Sequence, residues 1–228
     1  MLIKGLEKTS LSDWEEKIIA VIFTGGCNFR CGFCFNSELV IGHRKMPEIP
    51  KQTIFKFLKK RKNLLDGVCI TGGEPLLQKD IAEFIVKIKK LGFAVKLDHN
   101  GSMPEKLEYL MHKKLIDYIA MDIKGPLNHY QKITKSQIKP ETIKASIDLI
   151  TSSGIDHEFR STLVPALHSV QDVVNMAKLI QNGKRYFLQN FKNQKTLDPK
   201  FKKYKPFTRN ELKRLAKKCS KYIYTEVR

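Results

Sequence analysis

Between residues 17 and 191 the chain alternates six times between short apolar runs and amphipathic stretches of helical period, an order that few folds accommodate. Residues 17–24 are apolar and β-branched, end at Gly25-Gly26, and read as a strand buried on both faces. Residues 50–62 set Ile54, Phe57, Leu58 and Arg61 at helical spacing, and 67–71 form a second apolar run. Residues 78–91 put Ile81, Phe84, Ile85, Ile88 and Leu91 on one helix face, with Gly92 as the stop. Further strands are predicted over 93–97, 117–123, 157–164 and 185–191. The intervening helices are one opening at Ser102-Met103-Pro104-Glu105, a capping box with Pro in the first turn, one over 140–153 ended by Gly154, and one over 169–181 stopped near Gly183. Strands that alternate with helices are parallel and joined by right-handed crossovers. The expected class is α/β, a partial (β/α)6 barrel of parallel strands, because about 175 residues fall short of the ~250 of a full (β/α)8 barrel. Residues 1–16 are expected to be an N-terminal extension acting as a lid or edge hairpin, 17–191 the barrel, and 192–228 a C-terminal extension. The last contains a helix over 208–220, capped by Thr208 with Glu211 three residues on.

Such a sheet gathers its chemistry at the C-terminal strand ends. The distinctive residues are predicted to lie there, at Gly25, Thr71, Asp98, Asp122, Arg160 and Gln189. The first of these ends leads into Cys27, Cys31 and Cys34, spaced C-x3-C-x2-C in a loop. A loop can aim three sulfurs at one centre, and thiolates suit iron–sulfur clusters or zinc. A structural zinc site wants a fourth ligand; His43 is the offer, without a clean second Cys/His pair. Three ligands leave an open position at which a metal binds substrate. The chain has five Cys, an odd count that does not fit a secreted disulfide framework and points to a reducing compartment. No run reaches the ~18 apolar residues of a membrane span, and the N-terminus has no signal-peptide pattern, so a cytoplasmic protein without a membrane partner is expected. The net charge of +19, from 42 Lys+Arg against 23 Asp+Glu, would steer an anionic partner. The basic residues are nonetheless scattered, as at Lys59-Lys60-Arg61-Lys62, without the interleaved aromatics of an RNA-binding module. A Lys-rich surface is the simpler account, and nucleic acid is not an expected partner. Cys69, inside an apolar strand, reads as core, Cys219 as an incidental thiol, and His112, His129 and His168 receive no role.

The three cysteines, with Phe33 before the third and Gly-Gly before the first, resemble the signature of the radical SAM superfamily. That resemblance implies a 4Fe-4S cluster on Cys27, Cys31 and Cys34 whose open iron chelates the amino and carboxylate groups of S-adenosylmethionine. Reduction then splits the sulfonium C–S bond to a 5′-deoxyadenosyl radical, a step that needs no general base, so no catalytic acid or base is assigned. Thr71-Gly72-Gly73-Glu74-Pro75 resembles the turn that binds the SAM amino group; glycines permit close backbone approach, and a carboxylate accepts an ammonium. Asp98-His99-Asn100-Gly101 and Asp122-Ile123-Lys124 resemble the SAM site of glycyl-radical-enzyme activating enzymes, where the two Asp and the Lys hold the methionine part and a monovalent cation sits nearby. Taken alone, Asp98 and Asn100 would equally read as surface loop caps. Arg160, with Thr162, and Gln189 look like that group's fifth and sixth strands, so the implied cofactor contacts are Phe33, Gly72, Gly73, Glu74, Asp98, Asn100, Asp122, Lys124, Arg160, Thr162 and Gln189.

The resemblance covers about residues 3–199 and is nearest to the small activating proteins of anaerobic ribonucleotide reductase type. It implies an electron donor of flavodoxin or ferredoxin type and a glycyl radical enzyme as target. Departures occur where that group has His after the third Cys, Thr between the Asp and Asn, and a Pro-Gly turn; this chain has Phe35, His99 and Trp14-Glu15. Trp14, Phe35 and His99 would suit stacking and hydrogen bonding to a planar heterocycle. The alternative is therefore a small-molecule enzyme of 7-deazaguanine chemistry, similar to the carboxydeazaguanine synthases or the queuine lyases.

Overall fold

β2 (Ile19–Thr24) is the first of the alternating elements, and its burial explains its composition. Ile19, Ala20, Val21 and Ile22 are all buried, so the strand shows no polar alternation. The computed structural model describes residues 1–228. Its strands lie in chain order, β1 to β8; β1 pairs antiparallel with β2, and the β2–β3, β3–β4, β6–β7 and β7–β8 pairs are parallel, in agreement with the expected α/β partial barrel.

The chain divides into two compact units. The first comprises Met1–Asn28, Glu38–His99 and Glu105–Ile119. In it β1 (Ile3–Ser10) runs antiparallel to β2, and β3 (Gly67–Gly72) and β4 (Ala94–His99) follow in parallel. The helices α1 (Lys51–Lys60), α2 (Ile81–Lys90) and α3 (Pro104–His112) make the crossovers. α2 buries Ile81, Phe84, Ile85 and Ile88 and turns Lys87, Lys89 and Lys90 into its last turn, where cations complement the helix dipole. α3 begins at Pro104, and ahead of it the Ser102 N–H donates to Asn100 Oδ1 at 3.0 Å, an Asx turn.

The second unit comprises Phe29–Ser37, Asn100–Pro104 and Ala120–Arg228. β5 (Tyr118–Asp122) leads into it, and β6 (Asp156–Leu163), β7 (Tyr186–Asn190) and β8 (Thr225–Val227) are parallel neighbours. Its helices are α4 (Tyr130–Thr134), α5 (Pro140–Ser152), α6 (Val170–Leu179) and α7 (Arg209–Cys219). α7 carries the expected capping box of Thr208 and Glu211, and α6 has a second one, made by Ser169 and Asp172. Cys69 and Cys219 are both fully buried, and burial pushes the Cys219 thiol up to about 11. Cys219 is therefore a core side chain of α7.

Residues 3–10 form an antiparallel edge strand against β2, the edge-hairpin alternative for the N-terminal extension. Two expectations are corrected here. The C-terminal segment adds a strand, β8, beside β7, too short to carry an apolar period. Arg160 lies in the middle of β6 rather than at its end, two residues before Thr162 on the same face. No helix is long and apolar enough to cross a membrane.

Candidate functional site

In the first unit the residues around β3 are held together by backbone. Gly73 N–H donates to Thr24 O at 2.9 Å and Glu74 N–H to Gly26 O at 2.8 Å. A Cβ on Gly73 would lie 1.9 Å from Gly26 O, and Gly72 has a φ of +118°, so both positions exclude other residues. The turn is thereby stitched to the Gly25-Gly26 lead-in of the cysteine loop, and the Gln78 side chain adds a bond to Gly25 O at 3.1 Å. Glu74 is fully buried and one of its carboxylate oxygens accepts from Leu76 N at 2.9 Å, capping the short helix Pro75–Leu77. His43 packs on the same lead-in, its Nδ1 3.2 Å from Val40 O. Asp98 and His99 are buried at the end of β4, and Asn100 beyond it is buried as well, so these residues are not at the surface, although Asn100 does cap the loop through the Ser102 amide.

Lys96, on the same strand as Asp98, was not anticipated. It is fully buried, donates to Asp13 O at 2.5 Å, stands 4.9 Å from the Tyr118 ring centroid, and lies 4.0 Å from Asp98 Oδ1. Trp14 belongs to the buried cluster of Ile19, Val21, Cys69 and Tyr118, with its ring 5.5 Å from that of Tyr118. Its surroundings are those of a packing residue. The sequence signal for Lys96 was weak, because a lone Lys inside an apolar strand looks like an exposed edge position.

In the second unit charge does the organising. Asp122, the last residue of β5, takes Lys124 Nζ on Oδ2 at 2.8 Å and Arg160 Nε on Oδ1 at 3.0 Å. Burial by itself would raise the Asp122 pKa, but the two cations outweigh it and hold the carboxyl well below the usual range. Burial would lower Lys124, and Asp122 together with the Cys31 and Cys34 sulfurs reverses this and raises it. Cys31 is buried, and burial pushes the Cys34 thiol up, with Lys124 opposing. A buried and a half-buried thiol near an ammonium are a donor pair that a metal would deprotonate and a cation would help to keep anionic. Phe35, next in the chain, is half exposed, with Lys192 and Lys195 ammonium groups 5.6 and 5.8 Å from its ring centroid.

Two supports of this cluster were missed. Tyr130 on α4 is fully buried, donates to Asp122 O and accepts from Lys124 N, both at 3.3 Å. His168, given no role from sequence, is buried after β6: its Nδ1 accepts from Val164 N at 2.9 Å, so Nε2–H donates to Lys124 O at 3.0 Å. Burial lowers its pKa, keeping the ring neutral as this pattern requires. The His168 ring also meets Phe33 edge-on, 6.4 Å between centroids, and Phe33 meets Phe201 at 6.3 Å. Arg30 N–H donates to Thr134 O at 2.7 Å and Asp198 N–H to Gly32 O at 2.9 Å, fixing the loop further. Thr162 and Gln189 are partners in the β6–β7 register.

The sequence family model described as the radical SAM superfamily matches residues 21–180. The chain belongs to the radical SAM superfamily. A radical SAM protein works with an iron–sulfur cluster and S-adenosylmethionine, and Cys27, Cys31 and Cys34 fall inside the matched residues. This radical SAM enzyme is 36% identical over 230 residues to a Methanocaldococcus jannaschii protein provisionally named a glycyl-radical enzyme activating enzyme, covering 97% of this chain and 93% of the relative. It is 32% identical over 112 residues to a 7-carboxy-7-deazaguanine synthase of Thermoplasma acidophilum, covering 49% and 48%. Among solved structures, Streptococcus suis SuiB bound to S-adenosylmethionine superposes with a TM-score of 0.72 over 92% of this chain at 18% identity. The radical SAM enzyme spans about half of SuiB, 50% of its length, and the likeness establishes the shared fold.

Proposed function

We propose that this radical SAM enzyme is an activating enzyme that generates a glycyl radical on a partner protein. The observation that carries the reading is the 36% identity to the M. jannaschii protein provisionally named an activating enzyme, along 97% of this chain and 93% of that one. Cys27, Cys31 and Cys34 would hold the 4Fe-4S cluster. When bound, that cluster would supply the electron for reductive cleavage of S-adenosylmethionine, the chemistry by which a hydrogen atom would be lost from the glycine Cα and methionine and 5′-deoxyadenosine released. The chain's own residues bind and orient. Gly72 and Gly73 let backbone approach the ligand, and the Glu74 carboxylate would accept its ammonium. Lys124, held by Asp122, would meet its carboxylate, and Arg160 keeps Asp122 ionised and in place. Asp98, Asn100, Thr162, Gln189 and Phe33 complete the proposed contacts, and a monovalent cation beside the methionine part belongs to the same reading. The electron would come from an acidic flavodoxin or ferredoxin drawn by the net charge of +19, in the cytoplasm.

A second reading has its own support. The deazaguanine synthase relative, with Phe35 and His99 in place of the activating group's residues, favours a planar heterocycle as substrate. Anaerobic reconstitution with iron and sulfide, followed by dithionite and S-adenosylmethionine, tests both, with 5′-deoxyadenosine as the product measured and Cys31→Ala as the control. Activation is expected to give a glycyl radical EPR signal on an added glycyl radical enzyme. Stimulation by a deazaguanine precursor with no protein radical would choose the second reading. No cluster-dependent deoxyadenosine under any condition would remove both.

A further inference from the structure

β8 lies after the six βα units and outside residues 21–180 matched by the superfamily. The residue after it, Arg228, extends the β7–β8 ladder by donating its N–H to Leu188 O at 3.0 Å. Its guanidinium carbon sits 3.7 Å from the Phe187 ring centroid, and Nη1 donates to Glu158 Oε1 at 3.2 Å. Glu158 is 2% exposed, and the same oxygen lies 3.7 Å from Arg160 Nη1. Arg160 in turn gives Nε to Asp122, which holds Lys124.

The strand register accounts for this line. Glu158, Arg160 and Thr162 alternate onto one face of β6, and Phe187 is the register partner of Arg160. The order along it is cation, anion, cation, anion, cation, from Arg228 to Lys124. Arg160 is thus clamped at both ends of its planar fork, by Asp122 at Nε and by Glu158 at Nη1. Without Arg228, the buried Glu158 carboxylate would have to draw more heavily on Arg160, turning its fork away from Asp122, because a buried charge that loses a partner recruits the nearest counter-charge.

We infer that Glu158 and Arg228 are positioning residues for S-adenosylmethionine: they fix the Arg160 guanidinium, and through it the orientation of Asp122 and Lys124. This rests on the proposed reading of Asp122 and Lys124 as ligand contacts. The test is calorimetric titration of S-adenosylmethionine into the cluster-reconstituted full chain, with iron content and thermal midpoint measured alongside. Arg228→Gln and Glu158→Gln are expected to weaken binding about tenfold each with wild-type iron content and full folding at the titration temperature, and Arg228→Lys to recover part of the loss. Wild-type affinity in both Gln variants would overturn the inference while leaving the proposed function intact. So would a loss of affinity that merely tracks a loss of iron or of folded protein. Should Glu158→Gln fail to fold, Arg228→Gln decides alone, since that side chain is 27% exposed at a strand end. Absence of binding by the wild-type protein would remove the reading beneath the inference, and the inference with it.

Discussion

Two strand-end segments of this protein hold polar groups in place by opposite means. The Gly72-Gly73-Glu74 turn after β3 is built from backbone: two glycines that admit no side chain, amide bonds to Thr24 and Gly26, and a buried carboxylate that caps a short helix. The Asp122-Ile123-Lys124 segment after β5 is built from side chains: an aspartate between two cations, a tyrosine hydroxyl bridging the chain, and a neutral histidine holding the Lys124 carbonyl. The first tolerates almost no change of shape and some change of charge. The second tolerates change of shape better than change of charge. This difference decides what substitutions at each will do.

The largest effect is expected from Gly73→Ala. The added methyl meets the Gly26 carbonyl, which is backbone and cannot swing aside, so one of the two turns must move. We expect about 3 kcal/mol of lost stability in urea titration, together with substoichiometric iron. A fully loaded, stable Gly73→Ala protein would show that the turn yields and that the comparison is drawn too sharply. Next comes Asp122→Asn, which is nearly isosteric but strips Lys124 and Arg160 of their shared counter-charge. Its expected cost is about 2 kcal/mol, below that of a wholly buried pair because the site is part-exposed. Glu74→Gln is the mirror experiment. Glutamine keeps the oxygen that caps Leu76, so stability should stay within about 0.5 kcal/mol while S-adenosylmethionine affinity falls about tenfold through loss of the charge. If stability falls and affinity does not, Glu74 serves the cap alone.

The smallest effect concerns pH. The His168 pKa is lowered from its ordinary 6.5 in the folded protein, so the unfolded chain binds a proton more readily. The stability His168 contributes is therefore complete above about 6.5 and is lost as pH falls below that value. Burial lowers His157 in the same direction. Urea midpoints should decline between pH 7 and pH 5, and His168→Gln should make that decline shallower without abolishing it. The Asp122 pKa is also depressed, but from the carboxylate range, so its contribution persists until far more acidic pH. An unchanged slope in His168→Gln would mean that the ring is not held neutral and that the Asp122–Lys124 segment lacks that support.

Much of the architecture was legible because burial on both faces forces continuous apolar runs for β2 and β3, while α2 and α7 need an apolar stripe and a capped end. β1 was legible only as one of two alternatives, a lid or an edge hairpin, and β8 was not legible. An edge strand such as Ile3–Ser10 is half solvated and mixes Lys, Gly and Glu with Ile and Leu, and Thr225–Val227 is too short to carry a period. Within the candidate site, the cysteines and the Gly-Gly-Glu and Asp-x-Lys segments stand out because each sits at a strand end beside residues of unusual type. Tyr130 and His168 do not, since an aromatic on a short helix and a histidine in a loop have many bland explanations.

What the chain's own order of residues determined is the alternation of strand and helix, and with it a sheet whose chemistry collects where strands end. It also determined the three-thiol loop, because ligand spacing within eight residues is a local property. Tertiary structure alone decided which charges meet. Asp122 and Arg160 are 38 residues apart, and Glu158 and Arg228 are 70 apart. Their contact depends on strand register and on which face each residue takes, and a shift of one residue would turn every one of them to the other side of the sheet.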